Sequence, residues 1–208
     1  MDASRNVRFL VQFFVFVTLS GCRSPEAHQN VPRNEDTAPQ RTYSIRGTPY
    51  VQLSTSPSMM KPRALLFVDA SCPFSMNELL RVLVGDNGIS DDIGIVYVPQ
   101  ERRDQGAGVE TAALECARQS GAFLPYVKSR NNMMSFNRRP IMESVVTAGI
   151  TDTLSFQVCV TSSNTQALLR LHASAAERIG VSLLPVLSTG DSSWVGAQVG
   201  KRLSQSRF

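Results

Sequence analysis

The chain has 208 residues, of which 42% are apolar and 18% charged. That is the length of one ordinary domain with or without a tether, and the balance suits a packed core and not a disordered chain. The net charge of +4, from 21 Lys+Arg against 17 Asp+Glu with no long basic run, excludes a nucleic-acid binder of the concentrated-patch kind. Four cysteines show no paired C-x-x-C spacing, and the two histidines are His28 and His172, so no zinc or other metal site and no cofactor is expected.

Residues 1–21 read as an export signal. Arg5 and Arg8 supply a basic start, and residues 9–17 form an apolar run broken only by Gln12. The run is shorter than the about 20 residues that a membrane span needs. It closes on Leu19-Ser20-Gly21-Cys22, which resembles the lipobox of bacterial lipoproteins. The resemblance implies that Cys22 is acylated and anchors the chain to a lipid membrane of the bacterial cell envelope, facing the periplasm. Arg23 replaces the aspartate that resembles an inner-membrane retention signal, which favours the outer membrane. An ordinary signal peptide with a cysteine at its cleavage site is the alternative. After Cys22 the stretch to residue 42 is rich in Pro, Asn, Gln and charge, with Val31 its only large aliphatic side chain up to residue 40. It cannot bury enough apolar surface to offset its ordering entropy and reads as a tether, with His28 a solvated residue inside it.

Residues 43–208 read as an α/β domain. An extended piece is expected at 43–45 or 50–53. Residues 64–68 are a continuous apolar run, the pattern of a strand covered on both faces. Met76, Leu79, Leu80, Leu83 and Val84 follow at helical spacing, and Gly85, Asn87 and Gly88 end that helix. Residues 93–98 are a second buried strand. This makes a β-α-β unit, whose strands are parallel and whose crossover is right-handed by rule. Residues 108–170 look largely helical, with Ala112, Ala113, Cys116 and Ala117 on one inner face and shorter helices at 141–148 and 154–160. A long amphipathic helix at 165–179 stops at Gly180, and His172 on it reads as a structural histidine. Residues 181–188 form a strand entered through Pro185; Gly190 and Asp191 turn it into a hairpin partner containing Trp194, and a short basic helix closes the chain. The pairs Met59-Met60 and Met133-Met134 lack Cys or His company and read as packing or loop residues.

Chemistry concentrates at the first strand-to-helix turn. Cys72 follows a buried strand and opens a helix, with Pro73 and Phe74 at the helix start. Free backbone N–H groups and the positive end of the helix dipole stabilise a thiolate there, which makes the sulfur nucleophilic. The turn should be exposed at the C-terminal edge of the sheet. A small buried cysteine filling a core gap is the other reading.

The stretch Phe67-Val68-Asp69-Ala70-Ser71-Cys72-Pro73-Phe74-Ser75 resembles the F-x-D-x-x-C-P-x-C segment of the DsbA family of thioredoxin-like bacterial disulfide oxidoreductases. Residues 112–123 resemble that family's Ala-rich C-A-x-x-Q-G-x-F helix, with Ser120 in place of its Gln. Residues 156–160 resemble its F-x-x-C-L segment, and residues 176–187 its A-x-x-x-G-V-x-G-T-P-T-F stretch. The resemblance covers roughly residues 45–200 and implies a thioredoxin-like fold with a helical insertion at about 105–170. It implies Cys72 as nucleophile, Pro185 as a cis-proline facing it, and a peptide groove at Leu184–Pro185. Cys116 and Cys159 match positions that pair as a structural disulfide; two free thiols or a redox pair are the alternatives.

Two positions depart from the family pattern. Ser75 stands where the second active cysteine belongs, and Leu184 replaces the usual small polar residue or valine. With Cys22 committed to lipid and Cys116 to Cys159, Cys72 is left unpaired. It would act as a single active cysteine, its thiolate receiving a hydrogen bond from Ser75, with release from exported protein or peptide thiols left to a reductant partner. The functional expectation is therefore a membrane-anchored thiol-disulfide oxidoreductase. A redox-inactive peptide-binding module and a structural envelope lipoprotein are the alternatives.

Overall fold

The structure, a computed structural model, describes residues 22–23, 46–52, 61–85, 92–100, 107–132 and 140–205. The leader, the lipobox positions before Cys22, His28, the candidate strand at 43–45, Asn87 with Gly88, and both methionine pairs lie outside the described residues. The first elements are strands β1 (Cys22–Arg23), β2 (Val51–Gln52) and β3 (Ala64–Val68), helix α1 (Pro73–Val84) and strand β4 (Ile93–Tyr97). Five helices follow: α2 (Ala107–Gln119), α3 (Phe123–Asn132), α4 (Ile141–Thr147), α5 (Thr153–Thr161) and α6 (Ser163–Arg178). Strands β5 (Leu183–Leu184), β6 (Val186–Ser188) and β7 (Ser193–Val195) and helix α7 (Ala197–Gln205) complete the order.

The main sheet runs β2-β4-β3-β6-β7. Strands β3 and β4 pair in parallel, Leu66 opposite Ile95, and every residue of both is buried. Central parallel strands are covered on both faces, which is why each reads as an unbroken apolar run without alternation. In-phase alternation then splits the core. Leu66, Val68, Ile93, Ile95 and Tyr97 pack with α1 and the helical block, while Leu65, Phe67 and Val96 face Ala176, Leu184 and Val186. Each such aliphatic or aromatic side chain taken from water contributes about 1.5–3 kcal/mol, so this two-faced pair is a large share of the hydrophobic stabilisation. Gly94 lies where Tyr50 and Leu65 close on the sheet; a Cβ there would sit 2.8 Å from both side chains.

Helix ends follow local chemistry. Asp152 and Ser162 cap α5 and α6 through side-chain oxygens that accept from Ser155 N–H and Thr165 N–H. After α6, Gly180 takes φ +78°, the left-handed conformation that terminates a helix at little cost for glycine alone. Gly85 ends α1 in another way, at φ −59°, by donating its N–H to the Arg81 carbonyl.

The stretch at 181–188 is not one strand. A cis peptide bond at Leu184–Pro185 bends the chain, so β5 leaves the main sheet and pairs with β1, while β6 joins β3. Proline also lacks the N–H that an uninterrupted ladder would use there. Helix α3 is a separate element within the helical stretch. It turns Arg130 inward to pair with Glu110, so its buried face is partly polar.

Candidate active site

Helix α1 begins directly after β3, through a turn held by Asp69. The fully buried Asp69 carboxylate accepts from Ser71 N–H at 2.8 Å, from Ser71 Oγ–H at 2.7 Å and from Gln100 N–H at 3.4 Å, the last joining the turn to the segment after β4. The Asp69 carbonyl accepts from Cys72 N–H at 3.0 Å. Cys72 is the N-cap of α1, with φ −96° and ψ 117°, and its carbonyl accepts from Met76 N–H. Pro73 occupies the first helical position, where no N–H is needed. The sulfur therefore sits at the positive end of a 12-residue helix, where a thiolate is favoured over a thiol.

The turn differs from its sequence reading in two respects. Pro73 and Phe74 are exposed, as a sheet-edge turn requires, but Cys72 itself is fully buried. Nor is Cys72 unpaired: its sulfur is engaged in a disulfide. The bond is the physical reason for the second difference; the first is one of orientation, since the turn exposes Pro73 and Phe74 and keeps Cys72 inside. Ser75, one helical turn on, is buried, and its hydroxyl has no hydrogen-bond partner.

The bend at Leu184–Pro185 lies next to this turn. Strands β3 and β6 pair antiparallel with Phe67 opposite Val186. Pro185 directly precedes Val186 and so lies beside the C-terminal end of β3, the strand that leads into the turn. The cis bond thus bends the chain where β3 gives way to the Cys72 turn, and Gly196 N–H donates to the Pro185 carbonyl at 2.9 Å to hold the loop from the β7 side. Leu184 is buried and Leu183 is partly exposed.

A second polar side chain lies farther along α1. Glu78 is buried; burial pushes its carboxyl pKa up, and Arg81 opposes that from 3.7 Å. Gly200 of α7 packs on this pair; a Cβ there would sit 2.9 Å from Arg81 Nη1 and Glu78 Oε1, the ends of two side chains. Glu78 and Asp69 were not singled out in the sequence reading. Asp69 stands within the motif stretch, yet its partner Gln100 is 31 residues away and no local pattern announces it.

Cys116 and Cys159 form a disulfide with Cα atoms 5.9 Å apart, joining α2 to α5 and leaving the active turn apart from it. The structure therefore groups Cys72, Pro73, Phe74, Ser75, Leu184 and Pro185, and keeps Cys116 and Cys159 within the helical block. His172 is fully buried: its Nδ1 accepts from Tyr97 N–H at 3.1 Å, its ring stacks on Tyr97, and its Nε2 has no partner. Desolvation pushes its pKa down to about 4. Beside it Tyr97 donates to Glu115; burial raises the Glu115 pKa, but hydrogen bonds from Arg118, Gln119 and Tyr97 outweigh that and hold it below the usual carboxylate range. Trp194 is half-buried, with the Arg202 guanidinium 4.8 Å from its ring centroid. Among the described residues no group of three His, Cys, Asp or Glu is placed to hold a metal, and no helix is long and apolar enough to cross a membrane.

No protein-family model matches the chain, and no curated protein matches it in sequence. Solved structures do match it in shape. A thioredoxin-like oxidoreductase from Silicibacter pomeroyi superposes with a TM-score of 0.54 at 18% identity, covering 66% of this chain and 80% of that one. Oxidised BdbD from Bacillus subtilis gives 0.52 at 10% identity, over 80% of this chain and 90% of its own. The catalytic domain of Proteus mirabilis ScsC gives 0.50 at 14% identity, over 68% and 83%. With β3-α1-β4, the β6-β7 hairpin and α7 around a helical block, the chain has the thioredoxin-like fold.

Proposed function

We propose that this protein is a thiol-disulfide oxidoreductase of the bacterial cell envelope that exchanges disulfides with exported protein or peptide thiols through Cys72. The observation that carries the reading is the position of Cys72 at the N-cap of α1, next to the cis bend at Leu184–Pro185. Helix N-termini depress a thiol pKa, and a thiolate is the form that attacks a disulfide sulfur. The Ser75 hydroxyl, buried and without a partner, supplies a donor to that thiolate once Cys72 is reduced. The backbone of β5 at the bend, paired with β1 in the structure, is the edge that an extended peptide would take by strand addition once β1 leaves it. The apolar run before Cys22 supports export into a compartment where disulfides persist.

The test is mixed-disulfide formation. The reduced Cys22→Ser chain, in which no N-terminal thiol can displace a bound thiol from Cys72, is expected to gain one glutathione at Cys72 by intact mass and peptide mapping when challenged with oxidised glutathione, and the same chain with Cys72→Ser to gain none there. A Cys22→Ser chain that takes up no glutathione at Cys72 is a binding module or structural subunit and not an oxidoreductase.

The lipobox-like Leu19-Ser20-Gly21-Cys22 favours a second form of this reading. In it Cys22 is acylated, the protein is held to the membrane, the outer one by Arg23, and Cys72 exchanges alone with an external thiol to release each mixed disulfide. Acyl carbons buried at about 0.8 kcal/mol each would make such an anchor permanent.

A further inference from the structure

The disulfide at Cys72 needs a second sulfur, and the chain has few to offer. Of its four cysteines, Cys116 and Cys159 are bonded to each other, which leaves Cys22. An independent backbone observation points the same way. Residues Cys22–Arg23 pair antiparallel with Leu183–Leu184, and Cys22 stands opposite Leu184, the residue that precedes the cis-proline. Directly opposed Cα atoms in an antiparallel pair are about 4.5–5.5 Å apart, so Cys22 stands beside the bend that adjoins the end of β3. A disulfide needs Cα atoms within about 7 Å, and pairing with β5 holds Cys22 at the bend next to the Cys72 turn and not elsewhere on the domain. The 22 residues between Arg23 and Arg46 extend to about 3.3–3.6 Å each, far more than is needed to bring the segment back across the domain.

We propose that Cys22 is the redox partner of Cys72, doing from the N-terminal segment what Ser75 cannot do from helix α1. The inference rests on the exchange chemistry proposed for Cys72. In the oxidised state the chain occupies its own peptide edge with β1 and stores two oxidising equivalents in the Cys22–Cys72 bond. A substrate thiolate attacks Cys72 Sγ; the Cys22–Cys72 bond breaks and Cys22 leaves as a thiolate with the bonding electron pair. The second substrate thiolate then attacks the substrate sulfur of the mixed disulfide, and Cys72 leaves as a thiolate. The substrate dithiol has become a disulfide, its two electrons now reside on Cys22 and Cys72, and the protons of the two substrate thiols pass to the leaving thiolates or to solvent. Loss of the covalent tie also lets β1 leave β5, so reduction opens the edge to the next peptide. A thioether on Cys22 and this disulfide are mutually exclusive, since one sulfur cannot carry both.

The experiment is non-reducing peptide mapping of the full-length exported chain, paired with single-turnover oxidation of a model dithiol peptide. The expected map contains one disulfide-linked pair holding Cys22 and Cys72. Wild-type protein is expected to oxidise about one peptide per chain, and the Cys22→Ser chain less than about a tenth of that. The Cys22→Ser chain is still expected to take up one glutathione at Cys72 from oxidised glutathione. A map with acylated Cys22, or with a free Cys72 thiol in protein kept oxidised, overturns the proposal. If Cys22→Ser takes up glutathione but the map lacks the pair, this inference alone fails. If it takes up none at Cys72, the exchange chemistry fails with it.

Discussion

The buried pair of His172 and Tyr97 makes stability depend on pH in a defined direction. His172 Nδ1 is an acceptor for Tyr97 N–H, so the folded ring is neutral, and protonation of Nδ1 would turn that acceptor into a donor facing a donor. Burial pushes the pKa down to about 4 from 6.5, so between those values the unfolded chain binds a proton that the folded chain does not. Stability therefore falls as pH drops from about 6.5 to about 4, and the loss is complete below the folded value. A gap of about 2.5 pH units is worth about 3 kcal/mol, a large part of a typical total of 5–15 kcal/mol. The perturbation is His172→Asn, whose Oδ1 stands close to where Nδ1 stood and accepts the same N–H without titrating. Loss of ring packing on Tyr97 should cost about 1–3 kcal/mol at pH 7. The signature lies in the slope: urea unfolding at pH 7 and pH 4 should show the wild type losing about 3 kcal/mol more than the variant over the interval. Glu78 titrates in both proteins and cancels in the comparison, and burial, which raises its pKa, gives its own contribution the opposite sign; the Glu115 carboxylate near His172 opposes the downward shift and is already contained in the value of about 4. Equal losses in the two proteins would refute the placement of a neutral His172 against Tyr97.

Three further outcomes follow from the packing. Replacing both Cys116 and Cys159 by Ala opens a loop with a sequence separation of 43 and should lower stability by about 4 kcal/mol on the chain-entropy model. A loss below about 1 kcal/mol in urea titrations would show that the bridge constrains little. Gly94→Ala should cost about 1–3 kcal/mol, because its Cβ meets the Tyr50 ring and the Leu65 side chain in the sheet, whereas Gly200→Ala should stay within about 1 kcal/mol, because its Cβ meets only the movable ends of Arg81 and Glu78. Similar losses for the two would contradict that difference in surroundings. Ser75→Ala removes a buried hydroxyl without a partner and should stabilise the oxidised protein by about 1 kcal/mol while raising the Cys72 thiol pKa of the reduced form by about one unit. An unchanged thiol pKa would remove Ser75 from the site.

The centre of the fold was readable because burial on both faces of β3 and β4 leaves continuous apolar runs, and because α1 carries its core residues at helical spacing. The turn at Cys72 was readable for a related reason: a cysteine and a proline between such a strand and such a helix have few other places to be. What was not readable depends on partners distant in sequence. His172 meets Tyr97 across 75 residues and Asp69 meets Gln100 across 31, and neither leaves a local pattern. Helix α3 escaped separate notice because Arg130 and Ser129 are buried on it, which blurs the apolar stripe. Strand β1 lies within a stretch whose composition reads as a tether. Its pairing to β5 is made through backbone groups, which every residue but proline possesses, so no side-chain pattern marks it. The disulfide at Cys72 leaves no local pattern either, since no other cysteine stands within 40 residues of it.

The most direct test of the site is the thiol pKa of Cys72. In the Cys22→Ser chain with the Cys116–Cys159 bridge intact, Cys72 is the one remaining thiol, and its rate of alkylation by iodoacetamide across pH reports the thiolate fraction. Placement at the start of α1 predicts an apparent pKa at or below about 7.5. A value at or above about 8.5, that of a free cysteine, would mean that the helix start does not activate the sulfur, and the exchange chemistry assigned to Cys72 would be wrong.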